Sequence, residues 1–244
     1  LGDLLSTELL KLKRSRMFLL TVLGAMVAPF LVVVSSYLYI QDHPEEIVGF
    51  TKLFYDANLY GSLITGIPLY SVACAYLFSR EFEEDTLKNL LTIPVSRTGI
   101  LFSKLLLLFL WVLSLTLVSW LLTIALGSAG QFEGLTGKLA VQALGEFTAA
   151  GALQFLLCSP VVLITLIARK LVPSIVFSIV VTLVTIMGSN SEYRDLIPWI
   201  AALDISTGDL LPDYPAFLSY LIIGLVSASC LIAAVVYFRK VDLP

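Results

Sequence analysis

Six stretches of this chain carry no charged side chain: Met17–Ile40, Ala57–Phe78, Leu105–Leu126, Phe147–Ala168, Leu171–Met187 and Pro215–Phe238. Each is long enough, or nearly so, to cross a bilayer as a helix. In hydrocarbon every backbone N–H and C=O must find its partner inside the structure, so runs of this kind fold as helices. The chain is 58% hydrophobic and only 14% charged. A soluble domain is about a quarter charged, so that class is excluded. The spacing predicts an all-α membrane protein in one domain, residues 1–244, with six transmembrane helices. The first run is too long for the core of a cleaved signal and reads as a retained span. The absence of an initiator Met implies numbering that begins inside the native chain or after processing.

The segments between the runs set the topology. Residues 1–16 place Leu1, Leu5, Leu9 and Leu12 at helical spacing, with charges largely elsewhere on the wheel. This predicts an amphipathic interfacial helix whose Lys11, Lys13, Arg14 and Arg16 meet anionic headgroups. With both termini inside, the inner segments hold Lys11, Lys13, Arg14, Arg16, Arg80, Lys88, Arg97, Lys104, Arg169, Lys170, Arg239 and Lys240, twelve of the fifteen basic residues. Only Lys52, Lys138 and Arg194 remain outside. Basic residues stay on the cytoplasmic side, so the count predicts a multi-pass plasma-membrane protein with both termini cytoplasmic. The outer loops are then 41–56, with the sole histidine His43, and 127–145, with a short helix expected at Lys138–Leu144 near the interface. The connection 188–214 is also outside. It carries Glu192, Arg194, Asp195, Asp204, Asp209 and Asp213 around an apolar middle, Leu196–Leu203, too short to span and read as re-entrant or interfacial.

One inner segment, 79–104, is dense in charge. Ser79 is placed to cap a short helix, with Glu81, Glu83, Glu84 and Asp85 in its first turns, where acids suit the helix dipole. Glu84 and Lys88 stand four apart and can pair. Phe82, Leu87, Leu90 and Leu91 offer apolar contacts, Pro94 breaks the helix, and Ser96 caps the next one near Arg97. A helix–break–helix of this kind at a membrane surface suits docking on a soluble partner.

Catalytic and coupling chemistry is not visible. The six runs hold no acid, lysine or arginine, which argues against a proton- or ion-coupled carrier. Zinc-ligand spacing, a nucleophile elbow and a Walker sequence are all missing from the sequence, and Gly134, Gly137 and Lys138 have the wrong spacing for a phosphate loop. No cofactor or metal is expected in this chain, it is not expected to be an enzyme, and nucleic acid is not an expected partner. Cys74, Cys158 and Cys230 lie in apolar runs and read as packing residues. A chain with a route through the bilayer and no energy source of its own must borrow one, leak, or be structural.

The amphipathic leader, six spans and two-part final connection resemble the membrane subunits of ABC-2 type (type V) exporters, nearest in style to small bacitracin-resistance and lantibiotic-immunity permeases. The most family-like stretch is Glu81–Lys104, with its acidic start, Thr86-Leu87, Leu91, Pro94, Ser96-Arg97 and Lys104. The family often has an arginine–glycine pair after the glutamate, where this chain has Phe82, Glu83, Glu84 and Asp85. The resemblance implies a coupling helix whose contacts with a separate ABC ATPase come from Glu81, Phe82, Glu84, Asp85, Leu87, Lys88, Leu91 and Arg97. It implies a connecting helix on the inner leaflet carrying Leu5, Leu9, Lys11, Leu12, Lys13 and Arg14. It further implies ATP and Mg bound by the partner ATPase, a second permease copy or related permease, and export of an antimicrobial peptide, drug or other amphiphile. The amphiphile would enter a groove between subunits lined by spans one, two and five. The alternatives are a non-transport membrane scaffold or assembly protein, and a gradient-driven secondary carrier.

Overall fold

The computed structural model describes residues 6, 8–10, 12, 15–43, 45–83 and 97–240, the side chains of Glu81, Glu83 and Arg97 excepted. Its helices are α1 (Arg16–Asp42), α2 (Phe50–Tyr60), a π-helical turn (Gly61–Gly66), α3 (Ile67–Glu83), α4 (Arg97–Ala129), α5 (Gly137–Leu156), α6 (Ser159–Ala168), α7 (Leu171–Gly188), α8 (Pro198–Thr207) and α9 (Ala216–Lys240). Among the described residues, six helical rods are long and apolar enough to cross a membrane: α1, α2–α3, α4, α5–α6, α7 and α9. The only pairing of strand type among them is a single bridge, Gly49 with Glu133.

Local chemistry explains where the rods start and stop. The Ser15 hydroxyl accepts from Met17 N at 3.0 Å and caps α1. The second rod starts at Phe50, within the stretch expected to be a loop. Phe50 N donates to Glu133 O at 3.0 Å, and Phe50, Leu53, Phe54 and Ala57 form its buried stripe. Lys52 and Asp56 are therefore helical. Pro68, which has no N–H to give, follows the π turn directly, and wide turns of this kind accommodate such a break in the ladder. A Cβ at Gly66 would lie 2.5 Å from Gly61 O, so the turn admits only glycine there. The fourth rod starts at Gly137, with Thr136 Oγ1 accepting from Leu139 N at 3.2 Å. Lys138–Leu144 is thus the opening of one continuous helix rather than a separate short one. That rod breaks at Leu157–Cys158, just before Pro160 in the first turn of α6. It ends at Arg169, whose φ of 54° reverses the chain into α7.

With lipid on the outside, apolar burial gives helices little drive to associate, and close packing of small residues does that work. Ala73, Cys74 and Ala75 of α3 are fully buried. They belong to, or sit beside, a core that takes in Trp111 and Leu108 of α4, Val162 of α6 and Ala234 of α9. A second core joins Val32, Phe54, Phe132 and Phe147 at the other end of the bundle. The outer faces of α1 (Leu19, Leu23, Leu31) and α7 (Val176, Val180, Leu183) are exposed and apolar, as lipid requires. Between α7 and α9, helix α8 packs its Ile200–Asp204 face inside the protein, and Gln154 Nε2 of α5 donates to Trp199 O at 3.3 Å.

Candidate functional site

The end of the bundle nearest the leader is organised around Lys104. It sits near the start of α4 and is only 4% exposed. Burying an ammonium is costly unless it is paired and hydrogen-bonded. Its Nζ donates to Leu77 O of α3 at 2.6 Å. It lies 3.7 Å from Glu8 Oε2 of the leader and 5.9 Å from the Phe78 ring centroid. Glu8 is itself 8% exposed. A single cation therefore ties the leader, the last turns of α3 and the first turns of α4. These are the elements on either side of the charged segment.

The expected docking residues are placed only in part. Ser79 is buried inside α3, so it caps no new helix, and Glu81 and Phe82 belong to the last turn of that span. Phe82 is half-buried against the larger core, with the Arg169 guanidinium 5.7 Å from its ring centroid. Arg97 opens α4. Glu84, Asp85, Leu87, Lys88 and Leu91 lie outside the described residues, as do Leu5, Lys11, Lys13 and Arg14 of the leader. Leu9 is 44% exposed and Leu12 is buried.

Leu9 and Leu12 contribute to a groove of ≈ 500 Å³ whose other walls are Ser15, Phe18 and Leu19 on one side and Leu107, Leu110, Trp111 and Ser114 on the other. The Trp111 indole N–H donates to Thr21 Oγ1 at 2.9 Å, so the only polar atom of that side chain is satisfied within the protein. The groove is open and apolar, as an amphiphile's hydrocarbon part requires. It is formed by the leader, α1 and α4 rather than by spans one, two and five.

Beside the π turn is a smaller polar space of ≈ 20 Å³, lined by Asn58, Gly61, Ser62, Thr65, Thr116 and Ser119 among others. That is room for one water. Ser62 Oγ donates to Asn58 Oδ1 at 3.2 Å, and the buried Asn58 Nδ2 meets no protein acceptor. At the far end, Arg194 Nε stands 3.6 Å from Asp195 Oδ1 and 3.3 Å from Asp204 Oδ2. Among the described residues no group of three or more His, Cys, Asp or Glu could hold a metal ion.

This architecture has relatives. Residues 4–185 match the family described as ABC-2 family transporter protein. The bacitracin transport permease protein BCRB of Bacillus licheniformis is 43% identical over 201 residues, covering 82% of this chain and 97% of that one. The chain belongs to the ABC-2 transporter family. This ABC-2 permease is the membrane-spanning subunit of an ABC exporter, and its family implies an ABC ATPase as partner. Family membership points to transport rather than catalysis in this chain and favours neither a scaffold nor a gradient-driven carrier. In the permease the matched region takes in the Lys104 junction and the groove residues. It stops inside α7, before the Arg194–Asp204 cluster.

Proposed function

We propose that the chain exports an antimicrobial peptide, bacitracin or a similar amphiphile, from a bacterial cytoplasmic membrane, using ATP hydrolysed by a separate subunit. The observation that carries this is the 43% identity, across 97% of its length, to a protein named for bacitracin transport. The apolar groove of ≈ 500 Å³ fits the substrate class. The leader end of the bundle faces the cytoplasm, because twelve of the fifteen basic residues fall there. Both termini are then cytoplasmic.

ATP and Mg bind the partner ATPase. That partner grips the segment containing Glu81, Phe82, Glu84, Asp85, Leu87, Lys88, Leu91 and Arg97, and closure around nucleotide pushes on it. The push enters the bilayer through α3 and α4, which Lys104 fastens together and to the leader. Leu5, Leu9 and Leu12 bed the leader into the inner leaflet, with Lys11, Lys13 and Arg14 among the headgroups. A second permease copy completes the route.

The test is co-expression with its co-purifying ATPase in a bacitracin-sensitive bacterium. The expected result is a severalfold rise in the inhibitory bacitracin concentration that disappears when the ATPase is omitted. Unchanged sensitivity with both proteins present in the membrane would contradict the substrate assignment.

A further inference from the structure

The connection between α7 and α9 holds a buried charge imbalance. Asp195, in a 3₁₀ turn at Arg194–Leu196, is 1% exposed, and Asp204, in the third turn of α8, is 4% exposed. Asp195 is held firmly: its Oδ2 accepts from Leu211 N at 2.6 Å, and its backbone carbonyl accepts from Ser219 Oγ of α9 at 3.0 Å. Arg194 is the one cation at the cluster. Its Nη2 donates to Asp209 O at 2.6 Å, and its Nε lies between the two carboxylates without completing a hydrogen bond to either. Asp195 Oδ1 and Asp204 Oδ2 likewise receive no hydrogen bond.

One guanidinium against two buried carboxylates leaves one negative charge uncompensated, and two acceptors face each other with no donor between them. Ionised carboxylates can only accept. A proton on one of them removes the excess charge and supplies the missing donor in a single step. A metal cation is a poorer solution, because the guanidinium already occupies the space between the carboxylates and would repel it.

We propose that Asp195 and Asp204 form a proton-binding site, in which one proton shared between the two carboxyl groups and flanked by Arg194 keeps α8 seated between α5 and α9. The proton comes from bulk water and returns to it, past the Arg194 side chain, which is 26% exposed. The other charged or titratable groups around Asp204 are Asp209 from its own connection and Tyr55 from α2.

The direction of the pH effect follows. Burial pushes the Asp204 carboxyl up to about 7; Arg194 opposes this, and Asp195 and Asp209 add to it. When α8 is displaced into water, the same carboxyl returns to the ordinary carboxylate range. The seated state therefore holds the proton more tightly than the displaced one. Seating is strongest in acid, weakens as the pH climbs from the ordinary carboxylate range to about 7, and is flat above that. Since α8 also touches the π turn of the second span, proton loss loosens a plug that reaches the middle of the bundle.

The experiment is a pH titration of the full chain in lipid nanodiscs, read by the infrared C=O stretch of protonated carboxyl groups. A band lost with a midpoint near pH 7, and missing in Asp204→Asn, is expected. In Asp195→Asn the like-charged neighbour is gone, so the midpoint falls by about one pH unit or more. Should Asp204→Asn fail to fold, the Asp195→Asn shift decides alone, and a merely structural aspartate would not produce it. A wild-type spectrum without a titrating carboxyl between pH 6 and 8 would overturn the proposal. So would a band unchanged in both variants, or a midpoint that follows calcium or sodium concentration at constant ionic strength. No substrate or ATPase enters the measurement, so it can succeed or fail independently of the bacitracin reading.

Discussion

Replacing Lys104 with methionine keeps the length and apolar stem of the side chain and removes only its charge and donors. Two contacts are lost with it: the 2.6 Å hydrogen bond to Leu77 O and the 3.7 Å approach to Glu8. A hydrogen bond to a charged group contributes about 1.5–3 kcal/mol. Stranding a buried partner charge costs about 3–5 kcal/mol, an upper bound here because Glu8 belongs to a leader that can turn toward water. The expected net loss is about 2–3 kcal/mol, dominated by the bond to Leu77 O. For a chain of this length that lowers the melting temperature by about 5–10 °C. The assay is heat-induced loss of the monodisperse species in detergent, measured for Lys104→Met, Glu8→Gln and the double variant. Glu8→Gln alone should cost about 1 kcal/mol or less, and should add almost nothing once Lys104 is gone. A Lys104→Met protein that melts within about 1 °C of wild type would refute the idea that this cation fastens the leader, α3 and α4 together.

Three other outcomes follow from particular contacts. A Cβ at Gly151 would meet Thr116 Cγ2 at 2.5 Å, so Gly151→Ala should cost about 1–3 kcal/mol, and adding Thr116→Ser, which deletes that methyl, should recover much of it in the same melting assay. Thr21→Val takes away the acceptor of the buried Trp111 N–H, for about 1–3 kcal/mol of stability together with a change in tryptophan emission. The double variant Glu84→Ala/Leu87→Ala should insert normally yet show reduced substrate-stimulated ATP turnover in the assembled complex, and normal turnover would argue against coupling through that segment.

The fold was largely readable because a bilayer leaves few choices: charge-free runs must be helices, and six such runs appear as six rods. Charge also misled the reading. Lys52 and Asp56 suggested a loop, yet they sit on α2, whose opposite stripe of Phe50, Leu53 and Phe54 is buried. Ser79 looked like a cap because charges follow it, but nothing near it breaks α3, which continues to Glu83. The prolines gave the better signal: Pro68 and Pro160 mark the π turn and the α5–α6 break. The Lys104 junction was hidden for a different reason. A lysine at the edge of an apolar run looks like an ordinary topology marker, and its carboxylate partner, Glu8, lies in a separate helix far away in sequence. In the same way Asp195 and Asp204 read as two of several loop acids, since only tertiary packing buries them on one arginine.

The most direct test of the whole account is transport by proteoliposomes containing this chain, with and without its ATPase. Bacitracin movement is expected only when the ATPase and hydrolysable ATP are both present, and is expected to stop when ATP is replaced by a non-hydrolysable analogue. Uphill movement by the chain alone, or an assembled complex that hydrolyses ATP without moving any amphiphile, would contradict it.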